Sequence, residues 1–333
     1  MSQEQHEKNW VLGVDVGGTF TDLVAMKQNG ELVSTKTPST PDQSEGVING
    51  IKKIADLTNL SLNEFLSNCS LIVHGTTVAT NTLLEYSGAK VGLLTTEGFR
   101  DEIEFRRAYK ESVFSVRLPA PYQIVPRRYR IGILERLDKS GNVLTPLDEE
   151  SVRASVRRLV NDGVESIAVC FLFSFVNPVH EQRVKEIIQE EAPHVFISLS
   201  SEVLPQIREF ERVSTTIVNA FIGPRMQSYL NHLETKLNEL GFQGELFVMQ
   251  SNGGVQNIEQ TGKLAAGSLL SGPAGGVAAA SFIGEKSGYK DLITVDMGGT
   301  SYDVSVIENL IPTITTENWI SRYRVALPMM DIH

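Results

Sequence analysis

The sequence predicts an α/β protein made of two similar halves, in which mixed β-sheets are flanked by helices. Two observations predict this class. The eight-residue pattern D-x-G-G-T-x-x-D occurs at residues 15–22 and again at residues 296–303. Residues 148–199 alternate between helical and strand patterns, which is typical of βαβ units in a parallel or mixed sheet. The repeat indicates duplicated domains, and the alternation indicates sheets with helices on their faces.

Each copy of the octet is predicted to be a β-hairpin. Apolar runs at 10–14 and 23–26 flank the first copy, and runs at 292–295 and 304–307 flank the second. Adjacent glycines permit positive φ and a close ligand, so that consecutive N–H groups point at an anion. The threonine adds a donor, and the opening aspartate can hold Mg²⁺ through water. For one copy alone, an ordinary hairpin turn explains the pattern as well.

Two facing hairpins of this kind would bind the phosphates of a nucleotide together with Mg²⁺ or Mn²⁺. Asp15 and Asp296 are predicted to hold the metal through water and to be catalytic. The other predicted contacts are Gly17, Gly18, Thr19, Asp22, Gly298, Gly299, Thr300 and Asp303.

The segments that follow in the first half predict a strand-to-helix connection that could contact the substrate. A helix at 42–57 precedes a buried-type strand at 71–73, which leads into H-G-T-T at 74–77 and a helix at 78–86. The start of that helix would present Thr76, Thr77 and Asn81 to a small polar substrate. A plain strand-to-helix connection capped by threonine is the alternative. His74 closes the strand and is a candidate catalytic residue, with a structural, hydrogen-bonded histidine as the alternative.

Arginines are dense between residues 100 and 136. Their guanidinium groups suit a carboxylate or phosphate, but neighbouring acidic residues make a solvated surface the other interpretation. After a hairpin at 130–147, residues 148–199 alternate helix and strand up to a boundary near residue 205. The predicted domains are therefore 1–205 and 206–333.

The second half begins with a helical pattern at 209–240, which we expect Gly223-Pro224 to interrupt. A strand at 245–250 leads to Asn252, a candidate substrate contact. S-G-P-A-G-G at 271–276 then precedes a helix of small residues. Gly275 and Gly276 would let a nucleotide approach the start of that helix, although tight helix-on-sheet packing also suits such residues.

Composition restricts the partner and the compartment. The formal net charge of −10 argues against a general nucleic-acid or membrane-surface binder. Two cysteines make neither a disulfide framework nor a metal-ligand spacing, so a reducing cytoplasm is the expected compartment. The polar start of the chain predicts no signal peptide, and the sequence has no apolar run of about 18 residues.

The motifs also select among nucleotide-binding folds. G-x-x-x-x-G-K-[ST] is absent from the sequence, and neither octet contains G-x-G-x-x-G before a helix, which leaves paired hairpins as the phosphate site. That arrangement resembles the actin and hexokinase superfamily, with its ribonuclease H-like duplicated domains. More narrowly, the chain resembles the hydantoinase A / 5-oxoprolinase family. The motifs that carry this resemblance are the two octets, H-G-T-T-V-A-T-N at 74–81, G-F-R-D at 98–101, V-P-R-R at 125–128, Q-S-N-G-G at 250–254, S-G-P-A-G-G at 271–276 and D-I-H at 331–333.

The resemblance implies an ATP-dependent cyclic amide hydrolase subunit that activates a lactam or imide carbonyl by phosphorylation. An ATP-dependent ketone carboxylase subunit and a non-catalytic or regulatory subunit remain alternatives. A hydantoinase B-type partner is expected, and hence a hetero-oligomer. Asp331 and His333, in the matched D-I-H motif, are further candidate metal ligands. The family continues with a glycine-rich segment after this motif, so we expect a longer polypeptide or another chain to supply it.

Overall fold

The structure is a computed structural model that describes residues 9–40, 42–109, 114–115, 117–297 and 302–333. The chain forms two compact units, each assembled from separate segments. The first unit comprises 1–80, 226–315 and 328–333, and the second comprises 81–225 and 316–327. The division at residue 205 into two successive halves stays a prediction.

The strands follow the order of the chain and carry the labels used below. They are β1 (Trp10–Val16), β2 (Phe20–Lys27), β3 (Leu32–Pro38), β4 (Cys69–Thr76), β5 (Val91–Thr96), β6 (Arg130–Ile133), β7 (Arg136–Leu137), β8 (Val143–Thr145), β9 (Ser166–Cys170), β10 (Phe196–Leu199), β11 (Glu245–Met249), β12 (Val255–Asn257), β13 (Leu292–Met297), β14 (Tyr302–Glu308), β15 (Ile311–Pro312), β16 (Ile314–Thr315), β17 (Asn318–Ile320), β18 (Tyr323–Val325) and β19 (Met329–Met330).

The α-helices are labelled in the same way. They are α1 (Gln43–Leu57), α2 (Leu62–Ser67), α3 (Val78–Leu84), α4 (Glu102–Phe105), α5 (Glu149–Asn161), α6 (Val179–Glu191), α7 (Ser200–Val203), α8 (Glu209–Glu239), α9 (Ile258–Lys263) and α10 (Ser271–Ser287). Short 3₁₀ helices cover Arg106–Ala108, Arg127–Tyr129 and Ala265–Ser268.

The first unit contains a six-stranded mixed sheet in the order β12-β11-β4-β1-β2-β3. β1, β4 and β11 are parallel neighbours, whereas β2, β3 and β12 are antiparallel additions. On β1 and β2 the inward positions alternate with exposed ones, as expected for strands with one buried face. Asp42 caps α1, and the apolar side of this helix packs on the sheet.

A three-stranded antiparallel sheet, β13-β14-β15, lies in the same unit. Its β13–β14 hairpin is the second copy of the octet. One face of this sheet packs on α10 through a small core of Ala274, Val277, Ile307 and Met330. Both predicted hairpins, and the class of mixed sheets flanked by helices, are therefore confirmed.

The second unit is built on a parallel sheet in the order β10-β9-β5-β6. Every residue of β5 and of β9 is buried, which explains their continuous apolar patterns. α5 and α6 pack against each other and against strands of this sheet. The βαβ alternation predicted for residues 148–199 is thus present.

Two helix boundaries differ from the sequence prediction. α8 runs without a break through Pro224, so the predicted interruption at Gly223-Pro224 is wrong. Residues 210–223 are all buried, and their packing outweighs the hydrogen bond that proline cannot donate. α10 begins at Ser271, so the S-G-P-A-G-G segment forms its first turns and not a loop before it.

Across the residues that the structure describes, no helix combines the length and the apolar character needed to cross a membrane.

Candidate functional site

The candidate site lies at one edge of the six-stranded sheet in the first unit. Because β1, β4 and β11 are parallel, their carboxyl ends meet at the same edge. Asp15 on β1 is in register with Gly75 on β4, and His74 on β4 with Val248 on β11. The first octet, the H-G-T-T motif and the Q-S-N-G-G motif are far apart in sequence and end at this common edge.

The turn of the first octet is held by backbone pairing and by one serine. Asp15 pairs with Asp22 across the hairpin, and the Gly17 N–H donates to the carbonyl of Phe20 at 2.9 Å. The Ser39 hydroxyl donates to the Gly17 carbonyl at 2.7 Å, and the Ser39 backbone N–H donates to the Thr19 carbonyl at 2.9 Å. These bonds fix the conformation of residues 17–19.

The glycines of this turn were predicted both to adopt positive φ and to leave room for a ligand. Neither Gly17 nor Gly18 adopts positive φ, which corrects that part of the expectation. A Cβ at Gly18 would meet no atom within 4 Å, so the space beside its backbone is open. The glycine therefore leaves room for a close ligand without an unusual backbone conformation.

Asp15 is the carboxylate that two glycines of this edge approach most closely. A Cβ at Gly75 would lie 2.9 Å from Asp15 Oδ1, and one at Gly272 would lie 3.2 Å from the same atom. Burial raises the pKa of Asp15, and the negative charges of Asp22 and Asp296 raise it further. Asp22 also forms an ion pair with Lys36 at 3.1 Å. The negative charges of Asp22 and Asp296 therefore reach Asp15, and this repulsion favours a cation at this edge.

The second octet repeats the arrangement of the first. Asp296 on β13 pairs directly with Asp303 on β14. Like charges placed opposite each other in this way are unfavourable unless a cation compensates them. Both aspartates line a groove of about 400 Å³, together with Gly276 and Ala280 of α10. Gly298, Gly299 and Thr300 lie outside the described residues.

The start of α10 is joined to the end of β4. The Ser271 hydroxyl donates to the Thr76 carbonyl at 3.1 Å and accepts from the Thr76 N–H at 3.5 Å. The Leu270 N–H donates to Thr80 Oγ1 at 3.0 Å. These bonds position Gly272 beside Asp15. Gly275 and Gly276 lie inside the helix, and a Cβ at Gly276 would meet open space.

The predicted residues of β4 are buried within this unit. His74 is fully buried, and its Nε2 lies 2.8 Å from the Tyr229 hydroxyl. Its Nδ1 is a buried atom without a hydrogen-bond partner among the described residues. Burial lowers the pKa of His74 to about 4, so the ring is neutral at pH 7. The Thr76 hydroxyl accepts from the Val78 N–H at 3.2 Å and lies 3.3 Å from Gln43 Oε1.

The other predicted substrate and metal residues occupy separate positions. Thr77 follows β4, while Asn81 on α3 belongs to the second unit. Asn252 is exposed, and its Oδ1 accepts from the Gly254 N–H at 2.9 Å, so this side chain closes a turn. His333 Nε2 lies 3.3 Å from Asp331 Oδ1. Their roles in substrate or metal binding stay predictions.

The carboxylates suit a magnesium ion that keeps several of its water ligands better than an ion held entirely by protein side chains. Among the described residues, no three His, Cys, Asp or Glu side chains lie close enough together to hold a metal. Mg²⁺ keeps several waters and commonly uses one or two carboxylates plus substrate phosphates. Burial and, after it, the negative charges of Asp22 and Asp296 raise the pKa of Asp15, so more than one negative charge lies near the position where such an ion would be held.

Many arginines between residues 100 and 136 make ion pairs inside the second unit. Arg127 binds Asp101 through two hydrogen bonds of 2.9 and 2.8 Å. Arg130 is buried and donates to Glu104 at 2.8 Å and to the Val125 carbonyl at 2.8 Å. The Arg127 pair agrees with the alternative of a solvated, charge-balanced surface, whereas Arg130 makes its contacts as a buried side chain.

Sequence reasoning missed residues that act by their position in the fold. Gly75 and Gly272 approach Asp15 Oδ1, Ser271 joins α10 to β4, and Ser39 holds the first turn. The motifs H-G-T-T and S-G-P-A-G-G contain three of them, but nothing local indicates which glycine approaches a carboxylate. Tyr229, on α8, gave no signal because it only meets His74 through the fold.

The chain matches two family models along most of its length. The hydantoinase/oxoprolinase N-terminal region matches residues 11–192, and the hydantoinase/oxoprolinase model matches residues 212–333. Caprolactamase subunit alpha of Pseudomonas jessenii is 36% identical over 100% of this chain and 48% of the relative. The gamma subunit of acetophenone carboxylase from Aromatoleum aromaticum is 36% identical over 96% of this chain and 45% of the relative. The chain thus spans about half the length of these relatives.

Solved structures of two relatives show the same fold. The nucleotide-free structure of acetone carboxylase, from a study of ATP-dependent acetone carboxylation, matches with a TM-score of 0.88 and 30% identity, covering 98% of this chain and 48% of that one. The crystal structure of ATP-dependent caprolactamase from P. jessenii gives a TM-score of 0.87 and 36% identity over 97% and 47% of the two chains. The chain belongs to the hydantoinase/oxoprolinase family.

Proposed function

We propose that this chain is the ATP-binding part of a cyclic amide hydrolase that activates a lactam or imide carbonyl by phosphorylation. One observation carries the proposal. The negative charges of Asp15, Asp22 and Asp296 act on one another, and the space beside the Gly18 backbone is open to a ligand. A cluster of carboxylates with an open approach suits a nucleotide that arrives with its own Mg²⁺. The relatives described as ATP-dependent support the same use of the site.

The residues of this chain would position the phosphates and balance their charge. Asp15 and Asp296 would hold Mg²⁺ through water, and the ion would neutralise charge on the transferred phosphoryl group. Backbone N–H groups near Gly17, Gly18 and Thr19 would hydrogen-bond phosphate oxygens. Positioning and charge balance are most of what phosphoryl transfer requires of a protein.

The proposed reaction overcomes the resonance of an unstrained amide. The amide oxygen attacks the γ-phosphorus of ATP, the bond from that phosphorus to the bridging oxygen breaks, and ADP leaves. Water adds to the activated carbon, the carbon–nitrogen bond breaks with proton transfer to nitrogen, and an acyl phosphate remains. A second water releases phosphate from it. These later steps fall to a hydantoinase B-type partner in this proposal. The subunit names of the relatives support an assembly of more than one kind of subunit.

A second candidate is the ATP-binding part of a ketone carboxylase. The match to acetone carboxylase at a TM-score of 0.88, and to an acetophenone carboxylase subunit, favours it. Here the phosphoryl group would go to an enolate oxygen or to bicarbonate. Both reactions use the same phosphate site, so the substrate distinguishes them.

Calorimetric titration of ATP with Mg²⁺ tests the shared step. We expect binding that requires Mg²⁺ and weakens at least about tenfold in Asp15→Asn. Asp56→Asn is the matched control, because it removes the same charge from an exposed position on α1. Equal binding by the wild type and Asp15→Asn would refute the proposal. Stimulation of ATP hydrolysis by lactams or by ketones, measured with the partner present, then separates the two candidates.

A further inference from the structure

The second unit contains a cavity of about 320 Å³ that the proposed nucleotide site does not use. All of the residues that line this cavity belong to the second unit. Its volume lies at the lower end of the ~300–1,000 Å³ range of small-molecule pockets. Because protein interiors leave few voids larger than a water molecule, a cavity of this size suits a compact ligand.

One face of α8 forms the floor of the cavity. Phe210, Ser214 and Ile217 recur at i, i+4 and i+7, which is the spacing that places side chains on one face of a helix. Each of the three is at most 3% exposed. The Ser214 hydroxyl donates to the Arg324 carbonyl at 2.8 Å, so its proton is already used. A small residue between two large apolar ones leaves space above the helix, and the cavity occupies it.

A segment of irregular backbone, residues 119–125, supplies a second wall. We call this segment the strap, and its residues 120–125 all line the cavity. The Arg322 guanidinium donates to the Pro119 carbonyl at 2.8 Å, and the Tyr323 hydroxyl donates to the Tyr122 carbonyl at 2.7 Å. Two hydrogen bonds from the start of β18 therefore hold the strap in place over buried apolar side chains.

The charged side chains of the lining are unequal in sign. Arg106, Arg130 and Arg322 bring three guanidinium groups, whereas Glu104 brings one carboxylate. The Glu104 carboxylate accepts from Arg130 at 2.8 Å, and Asp101, outside the lining, lies 3.8 Å from the same guanidinium. Positive charge therefore exceeds negative charge around the cavity, although the whole chain has a formal net charge of −10. Guanidinium groups bind carboxylates through paired hydrogen bonds, so this excess favours an anionic ligand.

We propose that this cavity binds a small carboxylic acid with an aliphatic body. The apolar side chains of α8, α4 and the strap would bury the aliphatic chain, and the arginines of the lining would bind the carboxylate. The cavity and every residue named for it lie in the second unit, so the proposal does not rest on nucleotide binding by the first unit.

Calorimetric titration of the 333-residue chain with sodium hexanoate, in the absence of nucleotide, tests the proposal. We expect one site with a dissociation constant below about 1 mM. Hexanamide has nearly the same shape but no charge, and it should bind at least about tenfold more weakly. No binding of hexanoate at about 10 mM would overturn the proposal, as would equal affinity for the two compounds.

Two variants with matched controls test the location of the site. Ala120→Leu fills the cavity from the strap and should weaken hexanoate binding at least about tenfold, whereas Ala154→Leu, at an exposed position of α5, should not. Arg322→Gln removes one positive charge and should reduce the preference for hexanoate over hexanamide, whereas Arg157→Gln on α5 should leave it unchanged. Wild-type affinity in Ala120→Leu, or an unchanged preference in Arg322→Gln, would overturn the assignment.

Methyl NMR of the wild-type chain gives a readout that does not depend on the folding of a variant. Hexanoate should shift the methyl signals of Ile103, Ile124 and Ile217, which line the cavity. The methyl signal of Ile51, buried on α1 in the first unit, is the control and should not move. Shifts confined to isoleucines outside the lining would overturn the proposal.

Discussion

Gly272 and Asp15 lie far apart in the sequence, yet a Cβ at Gly272 would stand 3.2 Å from Asp15 Oδ1. The start of α10 thus forms one wall around the carboxylate that opens the first octet. At that distance an added methyl group requires the carboxylate to move by a few tenths of an ångström. Gly272, the first glycine of S-G-P-A-G-G, therefore leaves the space that the Asp15 carboxylate occupies.

Gly272→Ala is expected to weaken Mg²⁺-dependent ATP binding while the fold persists. The methyl group displaces the Asp15 carboxylate, and we expect the dissociation constant to rise at least about tenfold, or ~1.4 kcal/mol. Alanine is the better helix former, so the free energy of unfolding should change by less than about 1 kcal/mol. Calorimetry and urea denaturation measure the two quantities. Gly262→Ala on α9, whose Cβ would meet Gln227 at an ordinary 3.7 Å, is the control and should bind as the wild type does.

Asp15→Asn is expected to stabilise the protein without nucleotide. The folded-state pKa of Asp15 is raised, so folding favours the protonated form, and the ionised carboxylate costs stability as pH rises through that pKa. Asparagine resembles the neutral acid and removes the repulsion from Asp22 across the hairpin, which is worth about 0.5 kcal/mol. Urea denaturation at pH 7 should show this gain. The gain should shrink toward pH 3, where the wild-type carboxyl is protonated, and a pH-independent difference would contradict the explanation.

His74 is expected to make stability depend on pH below about 6.5. Its folded-state pKa of about 4 lies below the ordinary value of 6.5, so the unfolded chain binds a proton that the folded chain does not. Stability should therefore fall as pH decreases from 6.5 toward 4. Between pH 7.5 and 5.5 this residue alone should remove about 1.4 kcal/mol from the free energy of unfolding.

His74→Gln tests this pH dependence. Glutamine retains a group for the Tyr229 hydroxyl but does not titrate. Urea denaturation of both proteins at pH 7.5 and 5.5 gives the comparison, and the loss on acidification should be smaller in the variant. Equal losses would show that His74 is accessible to protons in the folded state.

Gly223→Ala is expected to destabilise the second unit although alanine favours helices. A Cβ at Gly223 would lie 2.3 Å from the ring of Phe196 on β10. Overpacking of this kind costs about 1–3 kcal/mol and exceeds the gain in helix propensity of about 1 kcal/mol. Phe196→Leu shortens the side chain, so the cost of Gly223→Ala should be smaller in that background. Additive effects in the double variant, measured by thermal unfolding, would exclude this contact as the cause.

Local patterns in the sequence predicted the two hairpins and many of the longer strands and helices. Alternating apolar residues around each octet predicted β1–β2 and β13–β14, because period-two burial is a property of the strand itself. Net charge argued against a nucleic-acid or membrane-surface binder, and the missing motifs argued against P-loop and Rossmann nucleotide sites. The resemblance to the hydantoinase A / 5-oxoprolinase family came from motifs spread along the whole chain, and the matched family models confirm it.

Only the tertiary structure decided which of these segments meet. Pro224 was expected to end a helix, but burial of residues 210–223 keeps α8 continuous, since packing over many residues outweighs one lost hydrogen bond. The coupling of Asp15 to Asp296, and the walls that Gly75 and Gly272 form, join positions that share no local pattern. A sequence thus indicates that a glycine turn can approach an anion. Which carboxylates share that space depends on how parallel strands and a helix from distant segments pack together.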